Sequence, residues 1–264
     1  MYEAVHAYPD GDATVARQAK TAARHGYDGI VVRTEAAIDV DVADADRVPP
    51  AASNDAPPAA PNDAPLAAPN DAPLAAIRSA YDVDVVDGVE IDAADPGMAG
   101  SAVRTHRSSR TVVCVVGGDD RMNRYAVEEP RVDVLVRPLR GSGGFNHVLA
   151  KAARDNDVHV EFDLGPVLRS TGGRRVRALA DLRKLREIVT YYDAPHVVSA
   201  NAGSQLSLRA PRELVAVAET VGFDPDWVRE GLRAWGTVAD RNRERRSESF
   251  IQPGVRRGRY EEKR

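Results

Sequence analysis

The chain has 264 residues, 43% of them hydrophobic and 29% charged, with a formal net charge of −4. That length can bury one full α/β core or two small ones, and a lone cysteine, Cys114, excludes a disulfide framework and a thiolate metal cluster. No run approaches the ~18 apolar residues of a membrane span, and the opening MYEAVHAYPDGD lacks the basic and apolar regions of a secretory leader, so a reduced, cytoplasmic setting with no membrane is expected.

In chain order, Tyr2 to His6 reads as a short strand and Ala13 to Arg24 as a helix ending near Gly26. Ile30 to Val32 is a second strand, closed by Arg33. A helix over Leu74–Tyr81 leads into a strand over Val83–Ile91. Gly100 to Arg107 is helical, and Thr111 to Val116 is an apolar strand that buries Cys114. Asp119 to Val127 is a short helix before the strand Val132–Val136. The stretch Gly143 to Asp163 then gives a glycine turn, a helix and a strand from Val158 to Phe162. Val148, Leu149, Ala152 and Ala153 mark one apolar face of that helix, while His147, Lys151 and Arg154 form a basic stripe opposite. Val176 to Tyr192 carries Leu179, Leu182, Leu185 and Val189 on one face, and His196 to Ser199 is the last strand. Pro211–Val221 and Pro225–Ala239 are helices with proline in the first turn.

Seven strands alternating with helices, none joined by a tight hairpin, predict a parallel sheet with right-handed crossovers. The α/β architecture that fits count and length is a single TIM-like (β/α) barrel over residues 1–239, complete or short of one strand. A dinucleotide fold is disfavoured, because no glycine fingerprint follows the first strand.

Two segments fall outside the barrel. Residues 38–75 hold most of an eight-residue repeat, NDAPPAAP, NDAPLAAP, NDAPLAAI, with almost nothing to bury, which reads as an extended, disordered loop. Residues 240–264 hold 9 basic and 5 acidic residues and read as a fraying helix that ends disordered. Charge divides in the same way: residues 35–95 carry 14 acidic and 2 basic side chains, and the remainder carries 34 basic and 26 acidic. An acidic segment is set against a basic body. Lysine occurs only at Lys20, Lys151, Lys184 and Lys263 while Arg, Asp and Ala abound, a usage that suits a GC-rich genome and a salt-loving source.

Ligands of barrels bind at the C-terminal strand ends, and arginines gather there. Arg33 ends the second strand, Arg121 and Arg124 follow Gly117-Gly118, and Arg137 and Arg140 follow the fifth strand. Arg169, Arg174, Arg175 and Arg177 surround Thr171-Gly172-Gly173, and Arg209 follows the seventh. Guanidinium forks and glycine-turn amides both suit phosphate oxygens. Arg140, the glycine turn and His147 with Lys151 make one candidate, in which free amides at a helix N-terminus favour an anion. A metal-dependent phosphoesterase is the competing reading. It needs a His-x-His after the first strand, where this chain has His6-Ala7-Tyr8, while His159 and His196 begin strands and so sit at the wrong end. A purely protein-binding scaffold is the third.

The segments YEAVHAYPD, YDGIVVR, VEEPRVDVLVRP, GFNHVLAKAARDNDVHVEFDL and NAGSQLSLRAPRELVAVAETVGF resemble the archaeal ribonuclease P protein component 3 family. Their order and spacing cover the chain apart from the repeat and the tail. The resemblance implies an incomplete barrel related to metal phosphoesterases, with the metal site lost. It implies a subunit of the ribonucleoprotein that removes 5′ leaders from precursor transfer RNA, in which the RNA does the chemistry with Mg and the protein binds no cofactor. Implied partners are the ribonuclease P RNA and protein component 2, the Pop-five-like subunit, with precursor transfer RNA met indirectly. Positions that match the family's basic residues are Arg121, Arg124, Arg140, His147 and Arg209, joined on position in the loops and stripe by Lys151, Arg174 and Arg175. The long repeat departs from the family's compact loop.

Overall fold

The computed structural model describes residues 1–34, 71–247, 250–252 and 255–256. Its elements run β1 Tyr2–Val5, α1 Val15–His25, β2 Gly29–Arg33, α2 Asp71–Tyr81, β3 Asp84–Ile91, α3 Pro96–Arg107, β4 Val112–Val116 and α4 Asp120–Glu128. They continue with β5 Val134–Val136, α5 His147–Asp155, β6 His159–Asp163, α6 Gly165–Arg169, α7 Gly172–Tyr191, β7 His196–Ser199, α8 Pro211–Val221 and α9 Pro225–Arg246. A small antiparallel pair, β8 Phe250–Gln252 and β9 Val255–Arg256, follows.

Strands β1 to β7 lie in one sheet in sequence order, and each neighbouring pair is parallel. The sheet curls until its edges meet at the top, where Val5 bridges Ala202 and the His6 amide donates to the Ala202 carbonyl at 2.9 Å. The result is a nearly closed, seven-stranded TIM-like barrel, as the alternation predicts. Strands buried on both faces need no polar alternation, which explains why β4 reads VVCVV with every residue buried.

Helix α9 seals the remaining seam. Its Trp235, Val238 and Ala239 join Ala4, Val31, Val86, Cys114 and other inward-facing residues in one buried cluster. The Trp235 indole N–H donates to the Val198 carbonyl at 3.0 Å. Two glycines let the helix lie directly on both edge strands. A Cβ at Gly231 would sit 2.6 Å from Val198 Cγ2, and one at Gly236 would sit 2.5 Å from the Tyr2 ring. An eighth strand is therefore replaced by a helix that fits only because its contact face has no side chains there.

The remaining helices coat the outer face, with α1 and α2 on one apolar cluster and α3 to α8 on the larger one. Two expectations are corrected. On α5 the buried face is Leu149, Ala150 and Ala153, while Val148 is 48% exposed, so the apolar stripe is rotated by about one residue. Finally, α9 runs to Arg246, well into the segment read as a fraying tail, and its end is anchored. Buried Asn242 donates to the Thr111 carbonyl and to Asp133 at 2.9 and 2.8 Å. Arg243 makes a two-pronged contact with Asp84, both prongs at 2.8 Å. The first two repeat copies and the end of the tail lie outside the described residues.

Candidate nucleic-acid interface

The C-terminal mouth of the barrel is filled by a charged network centred on Arg33. Sequence order places Arg33 at a strand end, as a phosphate ligand; the structure corrects this, because its side chain is wholly buried and points inward. It reaches Glu161 at 2.9 Å, Glu90 at 3.2 Å and the Asn201 side-chain oxygen at 2.7 Å, and its guanidinium carbon lies 5.6 Å from the Trp235 ring. Ser199 donates to Glu161 at 2.7 Å, and Arg137 pairs with Glu90. Strands β2, β3, β6 and β7 and the loop after β5 are tied together by this one cluster.

Burial works against the charge on Arg33, but Glu161 and Glu90 outweigh it and hold the guanidinium protonated above its ordinary range. The two carboxylates respond in opposite directions. Burial raises Glu161, helped by nearby Asp163, and Arg33 does not fully offset it. Burial also pushes Glu90 upward, yet Arg33 and Arg137 together overcome that and leave it below the ordinary value. Two guanidinium neighbours against one account for the difference. His6, 3.6 Å from Glu90, is lowered by burial and by Arg33. These residues do not suit a divalent cation. A fixed positive group already lies between the carboxylates, and among the described residues no group of three or more His, Cys, Asp or Glu side chains is arranged to hold a metal ion.

The predicted basic residues lie outside this core, on the rim and the outer helices. Arg121 and Arg124 are exposed on α4, whose N-terminal amides at Arg121 and Met122 are capped by Asp119. Arg140 follows β5 and pairs with Asp92 at 2.6 Å on the surface. The loop carrying it leans on the loop after β4, where the Gly143 amide donates to the Gly118 carbonyl at 2.7 Å. Buried Asn123 clamps both loops, donating to the Pro138 and Gly144 carbonyls at 2.8 and 3.1 Å and accepting from the Gly118 amide. Sequence reasoning missed Asn123, whose only signal was a polar side chain among apolar ones on a helix face.

His147 opens α5, and Lys151 is one turn further on. They share the ring of Tyr192, with the His147 centroid at 6.1 Å and the Lys151 ammonium at 5.4 Å. The amides expected to be free for an anion here are not: Asn146 accepts from the Val148 and Leu149 N–H groups at 2.9 and 3.2 Å. The start of the longer helix α7 has no such cap: Thr171 makes no side-chain cap bond and no acidic residue occupies the first turn. Exposed Arg174 and Arg175 stand there, against the positive end of the helix dipole, a placement that a bound anion would relieve. Arg140 and Arg174 line one cavity, whereas Arg175 lines another between α7 and α8. Arg209 is engaged within its own loop, donating to the Leu206 and Leu208 carbonyls at 3.0 and 2.9 Å. The mouth therefore gathers Arg140 and Arg174. His147 and Lys151 form a separate pair, and Arg209 stands apart.

Comparison with known proteins places this arrangement. Residues 1–247 match the family described as RNase P subunit p30. A protein of Halorubrum lacusprofundi called ribonuclease P protein component 3 is 67% identical over 99% of both chains. A Haloarcula marismortui protein of the same name is 54% identical over 97% of this chain and 96% of its own. In fold, the chain resembles one in a structure of archaeal ribonuclease P with mature tRNA, at a TM-score of 0.74 and 21% identity, covering 100% of each. A prolidase complexed with N-methylphosphonate-L-proline shares the barrel at a TM-score of 0.51 and 12% identity, covering 97% of this chain and 77% of that one. A match that runs from the first strand to the end of α9, with relatives sharing half to two thirds of their residues along their whole length, establishes that the chain belongs to the RNase P subunit p30 family.

Proposed function

We propose that the chain supports the catalytic RNA of ribonuclease P, the ribonucleoprotein that removes 5′ leaders from precursor transfer RNA, and does no chemistry of its own. Family membership carries the assignment to the enzyme. The single observation that favours a supporting role is Arg33, which fills the barrel mouth with a buried guanidinium between Glu90 and Glu161. A guanidinium neither binds water as a Lewis acid nor gives up a proton near neutrality. The Mg of the reaction then belongs to the RNA, and this chain holds no cofactor.

The RNA-facing surface in this reading is the exposed basic set Arg121, Arg124, Arg140, His147, Lys151, Arg174 and Arg175, with Arg209 at its margin. Phosphate contacts of this kind position an RNA and do not read its sequence. The protein partner is component 2, the Pop-five-like subunit, and the compartment is the cytoplasm. Among the described residues no helix is long and apolar enough to cross a membrane.

Reconstituted cleavage of precursor transfer RNA, with and without this chain, tests the reading. Omission should reduce cleavage, and the chain alone should cleave neither RNA nor simple phosphoesters. Arg121→Ala with Arg124→Ala should weaken assembly with the RNA and lower the salt slope by about 2, one for each lost phosphate contact, without loss of fold. Full cleavage without the chain, or an unchanged salt slope in the double variant, contradicts it.

A further inference from the structure

Beside the Arg33 network the barrel mouth opens into a cavity of about 340 Å³, between the loop after β5 and the first half of α7. It is small for a drug-sized ligand but lies within the ~300–1,000 Å³ of small-molecule sites. Its composition is sorted. Leu139, Leu182, Leu185 and Pro138 supply an apolar wall, and Arg140, Arg174 and Arg177 stand at the rim. Two polar groups of the cavity are incompletely used. Glu161 is fully buried; its Oε1 serves Arg33 and Ser199, while no donor among the described residues reaches Oε2. Arg137 spends its terminal nitrogen on Glu90, and no acceptor among the described residues reaches its buried Nε. An unsatisfied acceptor and an unsatisfied donor on residues that line one cavity call for a ligand that offers both, reached by a shift of the side chains that shield the two atoms. Asp163 also faces the cavity but is already engaged by the Gly165 amide and the Asn201 side chain at 2.7 and 3.1 Å, and Asp181 faces it from α7.

A planar ring with N–H and carbonyl groups along one edge suits the inner end. An anionic group suits the rim, where Arg140 is held only by a surface pair with Asp92. Four arginines disfavour a cationic side chain. We propose that this cavity is a nucleotide site, with the base against the apolar wall and Glu161, the phosphate among Arg140, Arg174 and Arg177, and guanine the preferred base. Guanine presents two adjacent N–H donors beside a carbonyl oxygen, and so can serve both Glu161 and Arg137. The inference goes beyond the subunit reading and stands on the cavity alone, so it can fail while that reading holds, and the reverse.

The test is equilibrium binding to the purified full chain by calorimetry, using GMP, UMP and ribose 5-phosphate. GMP should bind at least tenfold tighter than UMP and than the base-free sugar phosphate, and that advantage should persist as salt is raised. Ala178→Trp, on the half-buried α7 position that lines the cavity, should weaken GMP binding at least tenfold with the fold intact by circular dichroism. Glu161→Gln should reduce the preference for GMP over UMP. Equal binding of GMP and ribose 5-phosphate, or unchanged GMP affinity in Ala178→Trp, overturns the proposal. The oligonucleotides UUGUU and UUUUU then separate two sources of the same chemistry. Tighter binding of UUGUU, matching or exceeding GMP, identifies an unpaired guanosine of an RNA strand; GMP bound without UUGUU identifies a free nucleotide.

Discussion

Glu3 gives the sharpest test of the electrostatics. It lies fully buried on β1, with Oε1 accepting from the Ala200 amide at 2.8 Å and Oε2 placed 3.1 Å from the Tyr27 hydroxyl. That hydroxyl has one hydrogen, and its oxygen is 2.8 Å from the Arg209 carbonyl, which can only accept. The phenol hydrogen can reach only one of these two acceptors at a time, so the Glu3 carboxylate shares it with the Arg209 carbonyl. Burial pushes the Glu3 carboxyl up to about 8 from its ordinary 4.5, against the opposing pull of the Ala200 amide, Tyr27 and Arg33.

A folded value raised above the unfolded one means that the contribution is complete below pH 4.5 and is lost as pH climbs towards 8. Between pH 4.5 and 7 the loss approaches ~3 kcal/mol at ~1.4 kcal/mol per unit. Glu3→Gln keeps the shape, donates its amide N–H to the Tyr27 oxygen and does not titrate. Urea denaturation of both proteins at several pH values between 4.5 and 8 should show the variant gaining on the parent by ~3 kcal/mol by neutral pH. Taking the difference cancels every other titrating group. A difference that is flat with pH, or that grows towards acid, would show that Glu3 is ionised in the fold and refute the assignment.

Arg33→Met should cost about 3–5 kcal/mol in the same denaturation experiment, because Glu90 and Glu161 lose the charge between them; a cost under about 1 kcal/mol would deny the network its structural role. Leu74→Ala should cost about 2–5 kcal/mol, and a neutral result would mean that the last repeat copy does not pack on the barrel. His159 is lowered to about 4 by burial, so it stays neutral in the fold while the unfolded chain protonates first, and stability should fall as pH drops from 6.5 towards 4. His159→Gln should flatten that acid limb, and an unchanged limb would contradict it.

The barrel was legible because its evidence is periodic. Apolar runs such as Val112 to Val116 and leucine spacing on α7 report burial wherever the rest of the chain goes. The site was less legible, because a side chain at a strand end points inward or outward by a single step of the pleat. Arg33 and Arg137 read alike in sequence as mouth arginines, yet one is sealed in the barrel and the other lies partly open in the cavity. The anchored end of α9 was hidden for a related reason. Arg241 and Arg243 look like tail charges until Asp133 and Asp84, more than a hundred residues away, are brought beneath them. Caps misled similarly: Asn146 reads as part of a loop, but it occupies the amides that a phosphate would need.

The placement of Arg33 in the barrel mouth has a consequence for the surface around it. Glu90 and Glu161 project from β3 and β6 into the barrel end where other barrels do their chemistry. Like-charged carboxylates buried there need a cation between them, or one must take up a proton. A guanidinium supplies the charge with directed N–H bonds from a covalently held side chain, so it cannot dissociate as a metal does, and it ties strands β2, β3 and β6 together. One positive charge does not fully offset two buried carboxylates, and the second counter-charge comes from Arg137, which pairs with Glu90. Glu161 lacks such a second partner, and its Oε2 remains without a donor among the described residues. The same asymmetry that leaves Glu161 raised and Glu90 lowered thus places an unused acceptor at the cavity rimmed by Arg140, Arg174 and Arg177. A mouth whose central charge is a fixed guanidinium thus leaves one buried carboxylate oxygen without a donor among the described residues.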